Sequence, residues 1–401
     1  MINIESINYS LRNLKHRKAR SFLTVFSILV GISVIFIFIS FGYGLYNYTE
    51  ELSSGSSADK LIIMAKGGGI PGMDDTFKLT DQDVKVIERA DGVYEATALY
   101  YEAVEVEKRD EKIFTFLISY DPKKPLIMDI AGIGIEKGRL LNSGDSKSAV
   151  FGYNYLIDGK IFDKGLGLND VVEINGEKIK IIGFMEAIGN PPDDASIYVT
   201  NDYFEELIPE KDSYAQIYAR IDIKNIDKTI ENVEKNLRKE RNQEEGKEDF
   251  FVQSFEDLIE SFSGALNMII GFVILIALIS VLVSAVNTAN TMITSVLERY
   301  KEIGILKAIG ARNSEIFGIF LFESSFLGFV AGVLGVLLGF GLTSLGATIL
   351  ANLGWGFLQP YYSWQLFLGC IVFATLTGAI SGVAPAINAS KINPVEALRY
   401  E

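Results

Sequence analysis

Three stretches of this chain run without a charged residue for longer than a bilayer is thick: residues 21–49, 261–297 and 324–390. A transmembrane helix takes about 20 predominantly apolar residues. The last stretch is 67 residues long, so it holds more than one span. Its break falls at Asn352-Leu-Gly-Trp-Gly-Phe-Leu-Gln-Pro360, and Tyr361, Tyr362 and Trp364 follow as the aromatics that gather at membrane–water interfaces. The pattern predicts four spans, over 21–46, 261–297, 316–350 and 364–386, with an outer loop at 351–363. Residues 1–20 place Ile4, Ile7, Leu11 and Leu14 at helical spacing among basic residues, as in a helix lying in the membrane interface. The apolar core that follows is longer than the roughly 7–15 residues of a signal peptide, so the first span is read as retained.

Residues 47–260 carry a different pattern. Leu61–Ala65, Val93–Glu107 and Lys112–Ser119 read as strands, and Thr80-Asp-Gln-Asp83 reads as a capping box opening a helix that ends near Asp91-Gly92. Val171–Ile182 alternates around Asn175-Gly176, the signature of a type I′ hairpin. Asp227–Arg241 reads as a charged surface helix, Gln243–Asp249 as a polar break, and a helix from about Ser254 runs into the second span. The fold class expected is a membrane protein with four transmembrane α-helices. A large α+β domain of 47–260, with a β-rich insertion near 125–200, is inserted between the first and second spans.

Charge orients this arrangement. The chain carries −14 overall, but residues 50–260 hold 26 basic against 44 acidic side chains and the remainder 11 against 7. All 11 lie in 1–20, 298–315 and 387–401. The positive-inside rule makes those segments cytoplasmic: an interfacial helix at 1–20, a coupling loop at 298–315 and a tail at 387–401, with 47–260 outside. An acidic outer block argues against nucleic-acid binding.

Candidate chemistry is sparse. One cysteine, Cys370, and one histidine, His16, exclude an intrachain disulfide and leave no set of ligands for a Cys/His zinc site; Cys370 reads as a packing residue. Gly67–Gly72 has glycine spacing of the phosphate-loop kind but is followed by Met73-Asp74, where Lys and Ser/Thr would be needed. Asp74-Asp75, Asp193-Asp194 and Glu244-Glu245 lack the ligand spacing of a calcium loop. His16 lies in the basic leader, which leaves Ser-His catalysis without a base. No metal and no directly bound cofactor is expected. Gly328, Gly332, Gly335 and Gly339, with Gly378 and Gly382, form small-residue faces for helix packing. Glu323 is the sole ionisable residue of the last two spans, and a structural partner is expected for it. Spans with one acidic group and no other charges do not look like an ion or polar-solute channel.

The segment Glu298–Ala311 stands apart. Its apolar Tyr300, Ile303, Ile305, Leu306 and Ile309 interleave with Glu298, Arg299, Lys301, Glu302 and Lys307 rather than segregating to one face. That mixture fits a short helix held in a protein groove, with Gly304 and Gly310 permitting close contact and Asn313 or Ser314 capping the next helix.

The loop Glu298-Arg-x2-Glu-Ile-Gly-x-Leu-x-Ala-x-Gly-Ala311, Glu323 with its four downstream glycines, the tail Ile392-Asn-Pro-Val-Glu-Ala-Leu398, Gly138-Arg139 and the hairpin entering Ile182-Gly183 together resemble the transmembrane subunit of ABC transporters of the MacB/FtsX superfamily. The resemblance covers nearly the whole chain. It implies a dimer of permeases, homo- or heteromeric, in contact with membrane lipids. A separate ATPase subunit would carry ATP and Mg, since no ATPase domain is fused at the N-terminus, and an extracytoplasmic adaptor is a further implied partner. The ATPase-coupling residues it implies are Glu298, Arg299, Lys301, Glu302, Ile303, Gly304, Leu306, Lys307, Gly310 and Ala311. The implied function is mechanotransmission, in which ATP hydrolysis drives outer conformational work. That work is export or extraction of an amphiphile, peptide, antibiotic or lipoprotein, or else FtsX-like activation of an outer hydrolase or signalling partner.

Overall fold

The computed structural model describes residues 18–53, 58–66, 78–132 and 134–399. The interfacial leader up to residue 17, with His16, and the Gly67–Gly72 loop lie outside the described residues. The chain divides into two units. One comprises Met1–Leu45, Ala265–Ile349 and Leu358–Glu401, the other Tyr46–Gly264 with Leu350–Phe357.

The first unit is helical. Among the described residues, four helices are long and apolar enough to cross a membrane: α1 (Lys18–Ser53), α7 (Phe255–Glu298), α9 (Asn313–Asn352) and α10 (Trp364–Ser390). Two short helices, α8 (Tyr300–Ala308) and α11 (Pro394–Arg399), complete it. The glycines set the close approaches. A Cβ on Gly328 would lie 2.5 Å from the Ala374 carbonyl oxygen, and one on Gly378 the same distance from that of Ser324, so α9 and α10 touch backbone to backbone. Gly332 meets Ala374 in the same crossing, and Gly382 meets the Ser324 side chain. Gly335 and Gly339 instead face α1, against Ile32 and Phe36. One glycine row therefore serves two neighbours. Ile28, Ile32, Phe36, Ala331, Leu366, Cys370 and Ala374 fill the space between them, which makes Cys370 the packing residue expected. Tyr362 is drawn in against Phe36, Phe340 and Phe367, whereas Tyr361 and Trp364 stay exposed.

The second unit contains two sheets. The first has the order β11-β1-β10-β2, built from β1 (Lys60–Ala65), β2 (Val93–Leu99), β10 (Gln216–Ile221) and β11 (Phe250–Ser254), all antiparallel. Helices α2 (Asp81–Glu88) and α6 (Ile226–Glu240) cover one face, burying Ile87, Val233 and Leu237 against Leu61, Ile63 and Ile217. The capping box forms as read, with the Thr80 amide donating to Asp83 at 2.8 Å.

The second sheet has the order β5-β8-β6-β9-β4-β3-β7, from β3 (Tyr101–Lys108), β4 (Glu111–Tyr120), β5 (Ile135–Gly138), β6 (Ser148–Phe151), β7 (Val171–Ile174), β8 (Glu177–Met185) and β9 (Ile197–Thr200). Because β7 also pairs with β8, six of these strands close into a barrel and β5 is appended. Val106, Leu117, Ile179, Ile181, Phe184 and Ile197 fill its interior, with Lys178 and Lys180 pointing outward. Asn175 (φ 48°) and Gly176 (φ 85°) make the β7–β8 turn, the two left-handed positions that a type I′ hairpin requires.

Two readings are corrected here. Val93–Glu107 is not one strand: at Tyr100 the chain leaves the first sheet for the barrel, pinned by a 2.9 Å bond from its amide to the Ser119 hydroxyl. The β-rich portion therefore begins near residue 101, because the β3–β4 hairpin is part of the barrel wall.

Short helices α3 (Leu126–Ala131), α4 (Pro191–Asp194) and α5 (Asn201–Leu207) link the strands.

Candidate coupling site

The segment singled out as charged and unsegregated folds as a short crossbar between two spans. At Arg299 the backbone leaves helical geometry (φ −108°, ψ 17°), ending α7 and starting α8. At the other end the Ala311 amide donates to Leu306 and the Gly310 amide to Lys307, at 3.0 and 3.1 Å, with Gly310 at φ 105°. This is a Schellman motif, and Gly310 supplies its left-handed residue. No atom lies within 4 Å of where its Cβ would be. Within this chain Gly310 serves to stop α8. Gly304 lies against α11, where a Cβ would come within 2.5 Å of the Ala397 methyl. Neither Asn313 nor Ser314 caps α9; Glu315 does so, accepting the Arg312 amide at 2.9 Å.

The crossbar is fixed from three sides. Ile303 inserts among Met292, Val296, Ile316, Phe320, Ala386, Ala389 and Ala397, drawn from α7, α9, α10 and α11. Tyr300, Leu306 and Ala311 pack at the edge of that cluster. Lys307 is half-buried and donates to the carbonyls of Ser390 and Ile392, at 2.8 and 2.7 Å. A cation thus closes the C-terminus of α10, where the helix dipole favours positive charge.

Arg299 and Glu323 lie inside this cluster, each only 5% exposed. Their side chains meet at 3.1 Å. The guanidinium also stands 5.1 Å from the centre of the Phe320 ring and reaches Glu302 at 3.4 Å. Glu323 thus has the structural partner expected of it. That partner comes from the charged run, so Arg299 ties the crossbar to α9 and is turned away from solvent.

Of the ten residues expected to meet an ATPase, Glu298, Lys301, Glu302 and Gly310 are exposed, Leu306, Lys307 and Ala311 are half-buried, and Arg299, Ile303 and Gly304 are buried. The outward apolar groups are two others, Ile305 at 51% and Ile309 at 78% exposure. Their i, i+4 spacing was the available signal; it was masked by apolar residues on the opposite, packed side. Among the described residues no three His, Cys, Asp or Glu side chains converge on a metal site.

Residues 21–239 match the model of the MacB-like periplasmic core domain, and residues 274–394 that of the FtsX-like permease C-terminal region. A permease of Methanocaldococcus jannaschii, described as an uncharacterized ABC transporter permease, is 34% identical over 98% of both chains. The chain belongs to the MacB/FtsX family of ABC transporter permeases. It is 27% identical, over 99% of each chain, to the uncharacterized ABC transporter permease YknZ of Bacillus subtilis. It is 26% identical to the macrolide export ATP-binding/permease protein MacB of Neisseria gonorrhoeae, spanning 99% of this chain and 61% of that protein. The periplasmic region of MacB from Actinobacillus actinomycetemcomitans aligns at a TM-score of 0.44 and 14% identity, covering 54% of this chain and 97% of that one. In this MacB/FtsX permease, the block of two sheets between the first and second spans is the extracytoplasmic domain.

Proposed function

We propose that this permease is the membrane subunit of a mechanotransmitting ABC system, driven by a separate cytoplasmic ATPase that docks on α8. The observation that carries the reading is the crossbar itself. It exposes Ile305 and Ile309 among Glu298, Lys301 and Glu302, while its other side is locked to α7, α9, α10 and α11. A push on such a face moves packed helices rather than bending a loop. In this reading both termini are cytoplasmic, two permeases form the working unit, and the outer domain acts on an amphiphile, peptide, antibiotic or lipoprotein outside the membrane. No nucleotide binds this chain directly in this scheme; ATP and Mg belong to the ATPase. Glu323 is the sole ionisable residue of the last two spans, and this scarcity of charge supports substrate handling at the outer domain over passage through the bundle.

The test is hydrolysis by the partner ATPase, identified by pull-down of the full chain, in liposomes with and without the permease. The double variant Ile305→Asp/Ile309→Asp is expected to lose stimulation and co-purification while keeping its thermal unfolding midpoint. Retention of both properties in a folded variant would overturn the reading.

A further inference from the structure

The loop between α9 and α10 groups with the outer domain. Residues Leu350–Phe357 belong to the same unit as Tyr46–Gly264. Gly354, at φ 96°, bends the chain so that its α-carbon approaches Pro191; a Cβ there would lie 3.3 Å from the proline ring. The Lys160 ammonium donates to the Asn352 carbonyl at 3.2 Å, and the Phe357 amide donates to the Gly189 carbonyl at 3.3 Å. The Phe357 ring packs at a tilt against Tyr48 and Trp355, with ring centres 5.2 and 5.8 Å away.

The surface that receives this loop is itself built. Gly189 is at φ 80°, and the Asp194 carboxylate, 3% exposed, accepts the amides of Ile188 and Gly189 at 2.7 and 3.0 Å. Asn190 donates to Asp193 at 2.6 Å, and Pro191 and Pro192 stiffen the turn. The loop therefore lands on a pre-formed corner next to β8 of the barrel.

α1 and α7 enter the outer domain covalently. Residues 350–357, which join α9 to α10, are held on that domain by the non-covalent contacts just described. We propose that this loop is a latch. It carries displacement of α9, a single helix of 40 residues and about 60 Å from the crossbar to the loop, into the barrel corner at residues 186–194. The latch rests on the reading that the crossbar drives the outer domain, and it adds α9 as a separate route for that drive.

The experiment uses the full permease with its ATPase in nanodiscs, comparing hydrogen exchange of residues 186–194 with and without ATP. The wild type is expected to show an ATP-dependent change of several-fold in exchange rate there. Phe357→Ala and Gly354→Val are each expected to abolish that change while ATP hydrolysis stays within about twofold of wild type. Lys160→Met, which removes one contact and threatens the fold least, is expected to reduce it. If the change at 186–194 persists in folded latch variants, the latch is wrong and the crossbar reading stands. If the wild type hydrolyses ATP with no change anywhere in the outer domain, the crossbar reading falls and takes the latch with it.

Discussion

Arg299 and Glu323 are the residues whose removal tells most. Both are buried and 3.1 Å apart, so cutting one breaks a buried ion pair inside a packed cluster and leaves the exposed Glu302 as the other carboxylate beside Arg299. Arg299→Leu or Glu323→Leu alone is expected to cost about 3–5 kcal/mol, whereas the double Leu variant costs less than either. Thermal unfolding of the four proteins in detergent, read as a double-mutant cycle, checks this; a double variant no better than the singles would contradict it. The glycines supply a second contrast. Gly328→Val pushes a side chain into the Ala374 carbonyl and is expected to destabilise by about 1–3 kcal/mol. Gly341 lies on the same helix with nothing within 4 Å, so Gly341→Ala is expected to stabilise by about 0.5–1 kcal/mol. Glu323 was legible in the sequence as a lone ionisable residue needing a partner. Arg299 was not, because it sits 24 positions away within a run of charges that were all read as facing an ATPase.

Elements with local determinants were read directly. The capping box at Thr80, the Asn175-Gly176 turn and the helix at 226–240 each depend on neighbours within a few residues. Barrel closure through β7 and β8, and the jump between sheets at Tyr100, depend on pairings far apart in the chain, and nothing local announces them. The crossbar illustrates a third case: α8 is packed on one side and apolar on its exposed side, so hydrophobic periodicity could not separate the two. At this scale the join between α6 and β11 gives a pH prediction. Arg238, hydrogen-bonded at 2.8 Å, pulls the Glu248 carboxyl from about 4.5 down to about 2. The stabilisation is complete above the unperturbed value of about 4.5 and is lost as pH falls through about 2. Between pH 5 and 2.5 the outer domain's unfolding temperature is expected to fall in the wild type, and to fall less steeply in Glu248→Gln. Equal slopes in calorimetry would remove the pair from the account.

At the scale of the whole molecule, the proposed function requires force applied at α8 to pass through the helices. An exposed apolar face on α8 sits on a cluster shared by four other helices, and a buried ion pair fixes that face to α9. From there α9 runs unbroken to the loop that docks beside the barrel. Apart from Glu323, the last two spans carry no charge and supply close-packed glycine contacts, as a linkage would. The most direct measurement is site-specific cross-linking in membranes holding the permease and its ATPase. Cys370→Ala removes the native thiol, and a single cysteine is then placed at Ile309 or, as a control, at Tyr94 in the outer domain. The account predicts a permease–ATPase adduct from position 309 and none from position 94. An adduct from position 94 with none from position 309 would contradict it.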